Sequence, residues 1–169
     1  MLILETERLL LREFVAEDLD ALAVVLSHPE TMRYYPAPLD RAGVAEWIER
    51  NRRRYLEAGH GLWAMVLKSS GEVMGDCGLT RQRVDGVDEI ELGYHVRHDL
   101  WGRGYAPEAA RACRDYGFAQ LGVDRLISLV RMGNLPSRRV AEKIGMSLWK
   151  EVVWRSLAHW VLAIHRTKS

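Results

Sequence analysis

The segment Trp101-Gly102-Arg103-Gly104-Tyr105-Ala106 limits what this chain can fold into more than any other stretch. Two glycines one residue apart let the backbone turn tightly and approach a ligand with no Cβ in the way. Pro107 then suits the first turn of a helix, where its missing N–H would have had no partner. From there Ala106, Ala109, Ala110, Cys113 and Gly117 recur at helical spacing and give a face of small residues, so a helix is predicted over 107–119. A helix starting after such a turn offers free N–H groups and the positive end of its dipole to an anion. Arg103 adds a cation beside it, and the turn reads as a site for a phosphate-bearing ligand. A dinucleotide fingerprint would need glycine where Pro107 stands, and the Gly-Lys-Ser/Thr of a P-loop is missing. By itself the turn fits a plain strand-to-helix connection equally well.

The segments around it supply a context. Thr6 to Phe14 is predicted as a first strand, and Glu17-Asp18 open a helix with Leu19, Leu22, Ala23 and Leu26 on one side that ends before Pro29. Met32 to Pro38 is an aromatic loop. Asp40 starts a second helix to about Leu56, with Val44, Trp47, Ile48 and Tyr55 inward and Arg50, Arg52, Arg53 and Arg54 mostly outward. Strands follow over Gly61–Lys68, Val73–Arg81 and Val87–Val96, separated by turn signals at 69–72 and Asp85-Gly86. After the glycine turn and its helix come a strand Arg125–Arg131, a short helix Pro136–Ile144 and a closing pair of strands, Met146–Val153 and His159–His165. The predicted order is β-α-α-β-β-β-α-β-α-β-β. A mixed α+β chain with one sheet covered by helices on both faces is the natural packing.

At 169 residues and 48% hydrophobic, the chain reads as a single domain over 1–169 with room for a substantial core. A net charge of +1 gives no global reason to expect nucleic acid or an anionic membrane as partner. Glu46, Glu49 and Glu57 interleave with the arginines of the second helix, which makes that run a solvated face. Cys77 and Cys113 sit in apolar surroundings without a partner motif, and no uncharged run approaches a membrane span. Met1 to Glu5 meets acid and arginine too early for a signal peptide. A cytoplasmic setting is expected. The histidines show no metal-ligand spacing, so no metal is expected.

Four stretches, in order, carry a family resemblance. They are Thr6-Glu7-Arg8-Leu9-Leu10-Leu11-Arg12, Glu91-Leu92-Gly93-Tyr94, the glycine turn with Pro107-Glu108-Ala109, and Asn134-Leu135-Pro136-Ser137 followed by Glu142-Lys143-Ile144-Gly145-Met146. Together they resemble the GNAT superfamily of acetyl-CoA-dependent N-acetyltransferases, and within it the RimJ/RimL-type branch. The family's turn reads Gln/Arg-x-x-Gly-x-Gly/Ala. Gly104 and Ala106 match it, while Trp101 replaces the leading Gln or Arg. The resemblance implies a GNAT-like fold with a twisted, mostly antiparallel mixed sheet of about seven strands. It implies acetyl-CoA as co-substrate, its diphosphate on the turn Trp101, Gly102, Arg103, Gly104, Tyr105 and Ala106. It further implies that the pantetheine arm pairs with the strand end Tyr94, His95 and Val96, where two strands splay, and is supported by Asn134. The same amides would polarise the thioester carbonyl. Read locally, Asn134 is also a helix N-cap.

Acetyl transfer to an amine needs a proton acceptor for the amine and a proton for the departing thiolate. The tyrosine that many superfamily members place seven residues after the asparagine is absent, since Ala141 stands there. The RimJ/RimL-type pattern has a serine three residues after it, here Ser137, whose local reading is an ordinary first-turn serine. In the strand Val87–Val96, alternation puts Ile90, Leu92, Tyr94 and Val96 on one face and Glu89, Glu91 and His95 on the other. Glu91 is the expected base, acting through water, with an ordinary ion pair as the alternative. Tyr34, Tyr35, Trp63 and Glu89 are expected to shape the acceptor pocket. Asp85, Asp88, Glu89 and Glu91 make this hairpin acidic and point to a cationic acceptor.

The expected activity is therefore acetyl transfer from acetyl-CoA to a primary amine in a ternary complex. The acceptor stays open between a protein N-terminus, an amino acid or peptide, and a small-molecule amine, as does the choice between monomer and homodimer. A non-catalytic acyl-CoA-binding or interaction module is the competing reading, kept open by Trp101 and the missing tyrosine.

Overall fold

A computed structural model of the chain describes residues 1–167. Its elements are β1 (Leu2–Glu5), β2 (Leu9–Arg12), α1 (Leu19–Leu26), α2 (Arg41–Ala58), β3 (Leu62–Leu67), β4 (Val73–Val84), β5 (Val87–Val96), α3 (Tyr105–Ala119), β6 (Arg125–Arg131), α4 (Leu135–Lys143), β7 (Ser147–Trp154) and β8 (Leu157–His165). One eight-stranded sheet runs β1-β2-β3-β4-β5-β6-β8-β7. Every neighbouring pair is antiparallel except β5 and β6, which are parallel.

The sheet has one strand more than the seven expected, because the N-terminus folds back on itself. Thr6 N–H donates to the Leu9 carbonyl at 2.9 Å and the Thr6 hydroxyl accepts from Leu9 N–H at 3.0 Å. That turn splits the predicted Thr6–Phe14 strand and lets Leu2–Glu5 pair with β2. Leu2-Ile3-Leu4 is too short a run to announce a strand by periodicity alone.

Alternation along the strands divides the core between the two faces. Leu9, Leu11, Trp63, Met65, Leu79 and Leu92 pack beneath α3 and α4 with Ala109, Ala110, Cys113 and Ala141. Leu62, Ala64 and Val66 of β3 turn the other way, onto Leu22, Val25 and Leu26 of α1 and Val44 and Ile48 of α2. The small-residue face of α3 is buried as its spacing predicted, through Pro107, Ala109, Ala110, Cys113 and Gly117. Cys77 and Cys113 meet there as free thiols, Cys77 donating to Cys113 Sγ at 3.5 Å, and burial pushes the Cys77 thiol up. Among the described residues no helix is long and apolar enough to cross a membrane.

The feature that positions the site is the meeting of β5 and β6. They are in register at one pair only, Glu91 with Ile127. Ser128 Oγ donates to the Leu92 carbonyl at 2.8 Å just beyond that rung. Past it the two strands part, and main-chain groups that a continued ladder would have used are left facing a gap.

Candidate active site

The gap between β5 and β6 opens into a cleft of about 240 Å³ lined from both sides of the sheet. The glycine turn that leads into α3, like Val96, is not part of the lining of this cleft. Gly102 (φ +74°) and Gly104 (φ +81°) both hold left-handed backbone, which L side chains rarely adopt. A Cβ on Gly102 would meet nothing within 4 Å, so the turn faces open space. Gly104 is the N-cap of α3 and no side chain caps the first turn, which leaves the leading amides of a 15-residue helix free. Trp101, 45% exposed, donates its indole N–H to the Val96 carbonyl at 2.8 Å and ties the turn to the end of β5. Arg8 donates to the Arg103 carbonyl at 2.9 Å, and Glu108 accepts from Thr6 Oγ1 (2.6 Å), Arg8 N (2.9 Å) and Arg8 Nε (2.7 Å). Burial alone would raise the Glu108 carboxyl, but these three donors hold it below its ordinary value. The opening Thr6-Glu7-Arg8 thus braces the turn from outside. The uncapped amides, the two left-handed glycines, the open space at Gly102 and the Arg8 guanidinium 3.4 Å from where a Cβ on Gly104 would stand fit a diphosphate.

On the α4 side, Asn134 Oδ1 accepts from Ser137 N–H at 3.2 Å, so the asparagine does cap α4. The Tyr94 hydroxyl donates to the Ser137 carbonyl at 2.7 Å and accepts from Ser137 Oγ at 3.3 Å. Burial raises the Tyr94 phenol above its ordinary value. A tyrosine hydroxyl therefore does reach the Ser137 position, although it comes from β5 and not from the helix that carries Ala141. Spacing within one helix gave no sign of this contact, which joins residues 43 positions apart.

On the α1–α2 side the odd-numbered face of β5 carries the acid–base groups. Glu91 lies beside Thr80, whose hydroxyl donates to Oε2 at 3.4 Å, and Gln82 stands next in line. Burial pushes the Glu91 carboxyl up, more than Gln82, Arg155 and Thr80 bring it down. His95 is buried, and its Nδ1 lies 2.7 Å from Asp76 Oδ1 while its Nε2 lies 2.6 Å from the Tyr35 hydroxyl. Asp76 is 0% exposed and accepts the Trp47 indole N–H at 2.9 Å through its other oxygen. With Asp76 ionised, Nδ1 of His95 must carry the proton, so Nε2 accepts from the Tyr35 hydroxyl. Although the Tyr35 ring is partly exposed, its hydroxyl is turned inward, and burial raises its phenol well above the ordinary value. Asp76 is the functional candidate that sequence reasoning missed. Its signal was present: a single acid inside the apolar strand run Val73-Met74-Gly75-Asp76-Cys77.

Tyr34, Tyr35, Tyr94, His95, Asn134, Ser137 and Glu91 all line the cleft, as the sequence placed them. Four expectations are corrected. Trp63 is 0% exposed beneath α3, edge-on to Tyr116 at 5.3 Å, so it touches core and not acceptor. Glu89 is 6% exposed and bound by Arg125 outside the cleft lining, which leaves it no free charge for a substrate. The acidic hairpin is largely neutralised, with Asp85 held by Lys150 and Asp88 by Arg83. Finally, Arg52 and Arg53 do face outward, paired with Glu49 and Glu46, but Arg50 and Arg54 turn into the cleft.

Residues 8–147 match the acetyltransferase (GNAT) domain family. The chain is 38% identical over 150 residues to the uncharacterised protein YkkB of Bacillus subtilis, covering 88% of this chain and 87% of that one. It is 31% identical over 147 residues to an uncharacterised N-acetyltransferase, p20, of Bacillus licheniformis, covering 83% and 80%. The crystal structure of an acetyltransferase from Agrobacterium tumefaciens superimposes with a TM-score of 0.84 at 30% identity, covering 96% of this chain and 94% of that one. RimL, the ribosomal L7/L12 α-N-protein acetyltransferase in complex with coenzyme A, shares the fold at a TM-score of 0.80 and 14% identity, each chain covered to 98%.

Proposed function

The chain belongs to the GNAT acetyltransferase family, and on that premise we propose that it moves an acetyl group from acetyl-CoA to a primary amine within a ternary complex, as a member of the RimJ/RimL-type branch. The observation that carries the reading is the one-rung junction of β5 and β6, with Glu91 on one side of the opening and the Ser137–Tyr94 hydroxyls on the other. Acetyl-CoA supplies the activated acyl group. The amides after Gly102 and Gly104 hold the diphosphate, with no side-chain cap competing for them. The parted edge at Tyr94, His95 and Val96 receives the pantetheine arm, and Asn134 stands at its side while capping α4.

Attack needs a neutral amine. Glu91 takes the amine's proton, through water, and its burial raises its basicity toward that task. The departing thiolate meets the Ser137 and Tyr94 hydroxyls, which act as one hydrogen-bonded pair. A second route for the amine's proton is favoured by the Asp76–His95–Tyr35 chain. Tyr35 lines the cleft, and His95 is poised to receive its hydroxyl proton as the phenol takes one from the amine. We further propose a single domain acting in the cytoplasm, with no nucleic-acid partner.

Thiol release on mixing the protein and acetyl-CoA with a panel of amines tests the reading. Turnover on at least one amine, reduced in both Glu91→Gln and Ser137→Ala, is expected. Tight CoA binding with no release on any amine would make the chain a binding module instead.

A further inference from the structure

We propose that the acceptor carries an anion as well as its amine: Arg50, Arg54, Arg131 and Arg155 form a carboxylate- or phosphate-binding subsite facing Glu91 across the cleft. This inference rests on the acetyltransferase reading above and narrows its acceptor.

Four arginines line the cleft together with a single acidic residue, Glu91. Among the described residues none of the four is in a salt bridge, whereas their outward neighbours on α2, Arg52 and Arg53, each hold a glutamate. Arg50 and Arg54 sit one helical turn apart, a like-charge spacing that costs a helix stability. Arg50 Nε is buried with no partner, and the only polar side-chain bond of Arg54 is a 3.2 Å contact to Asn51. Burial lowers both guanidiniums from their ordinary value; Arg155 lowers Arg50 further and Arg50 and Arg155 lower Arg54, while Glu46 and Glu91 draw Arg50 and Arg54 part of the way back. Glu46 lies within reach of Arg50 but is already paired with Arg53, and Asp76 is used by His95 and Trp47.

What holds the cations in place is aromatic. Arg50 lies 5.1 Å over Trp47, and Arg155 lies 4.2 Å over Trp154. A ring engages the face of a guanidinium and leaves its edge N–H groups free to grip a planar or tetrahedral oxyanion. Arg155 also occupies the β7–β8 turn with φ +49°, a place where glycine or asparagine would be less strained. Glu91, the acceptor-side carboxylate, stands where the ammonium end of such a ligand would lose its proton. The cleft's 240 Å³ suits a compact acceptor, being just under the usual range for small-molecule sites. The acidic hairpin that pointed to a cationic acceptor is spoken for by its own ion pairs, so the cleft selects the opposite charge.

The test compares matched amines at saturating acetyl-CoA: a free amino acid against its amide, and phosphoethanolamine against ethanolamine. At least one anionic member is expected to exceed its neutral partner by tenfold or more in kcat/KM. Arg50→Gln with Arg54→Gln should raise KM for the anionic member about tenfold and shrink the preference, with kcat less affected. Arg52→Gln is the control and leaves both unchanged. Equal or better use of the neutral partners, or of spermidine, would overturn the subsite. A readout independent of turnover uses inorganic phosphate on protein already saturated with CoA, so that the glycine turn is occupied. Phosphate should raise the Tm of the wild type and not of the double variant. The ligand-free double variant should melt at or above the wild-type temperature, since it loses mutual repulsion. A fall of several degrees would make the arginines structural and overturn the proposal. If no amine turns over but phosphate still binds in this pattern, the catalytic reading fails and the subsite stands.

Discussion

Replacing Asp76 separates the stability of the buried network from its chemistry. The carboxylate accepts from His95 Nδ1 at 2.7 Å and Trp47 Nε1 at 2.9 Å, and no part of it reaches solvent. Asp76→Ala strands both donors in the interior. At about 1–3 kcal/mol for each buried donor left unsatisfied, the expected loss is about 2–6 kcal/mol, a large share of the stability of a typical domain. Asp76→Asn behaves differently. The amide oxygen still serves Trp47, while the NH₂ donates to His95 Nδ1 and forces the ring proton to Nε2. Nε2–H then donates to Tyr35 where it previously accepted, so the chain of hydrogen bonds runs backwards. The folded state keeps both contacts and should lose no more than about 1 kcal/mol, the worth of one typical hydrogen bond. Any proton taken through Tyr35 has nowhere to go, so kcat should fall, by less than in Glu91→Gln because the Glu91 route stays open, and the pH profile should change. Urea unfolding followed by tryptophan emission measures the first quantity, and thiol release at saturating acceptor the second. An Asp76→Asn protein with wild-type kcat and an unchanged pH profile would show that the His95 tautomer is irrelevant to turnover and leave Glu91 as the sole base. An Asp76→Ala protein within about 1 kcal/mol of wild type would refute the structural half of the argument.

Glu91→Gln should lower kcat by about 10²–10⁴-fold while making the protein more stable at neutral pH. The folded carboxyl is raised by burial, so its contribution favours folding below the ordinary value of about 4.3 and is lost as pH rises through the folded value; urea midpoints from pH 4 to 8 should fall for the wild type relative to the variant. The acid limb of the wild-type rate profile should accordingly lie above the ordinary glutamate range. Ser137→Ala and Tyr94→Phe should each cost activity, and the double variant no more than the worse single one, because the two hydroxyls share one hydrogen bond; additive losses in a kinetic double-mutant cycle would separate their roles. Gly104→Val forces a β-branched residue into φ +81° over the diphosphate site, and calorimetry should show weaker CoA binding. Glu108→Gln removes the charged acceptor of three bonds and should cost about 1–3 kcal/mol at neutral pH. Since that carboxyl is held below its ordinary value, the difference between variant and wild type should shrink as pH falls through the folded value.

The sequence was most legible where a pattern is local. The bounds of β5 and β6 and the small-residue face of α3 follow from alternation and helical period, and the structure keeps them. Gly102 and Gly104 announced their left-handed backbone because few residues tolerate it. What stayed hidden depends on distant parts of the chain meeting. The hydroxyl pair of Tyr94 and Ser137 joins a strand to a helix, and the strand β1 exists only because β2 offers it an edge. The arginines of α2 were half readable. Val44, Trp47, Ile48 and Asn51 mark an inward stripe whose border includes positions 50 and 54, yet the interleaved glutamates made the whole run look solvated. Charge composition cannot tell which arginines have partners; only the pairing of Arg52 and Arg53 leaves Arg50 and Arg54 over.

A sheet joined across its middle by one rung is a wall with a window. In the proposed reaction the two reactants come to that window from opposite sides, the thioester past Ser137 and the amine past Glu91, so neither blocks the other's entrance. Initial-rate patterns should then intersect, with either reactant able to arrive first, and an inhibitor filling one doorway should leave the other passable. The seam that weakens the sheet is thus also what keeps traffic through it from being one-way.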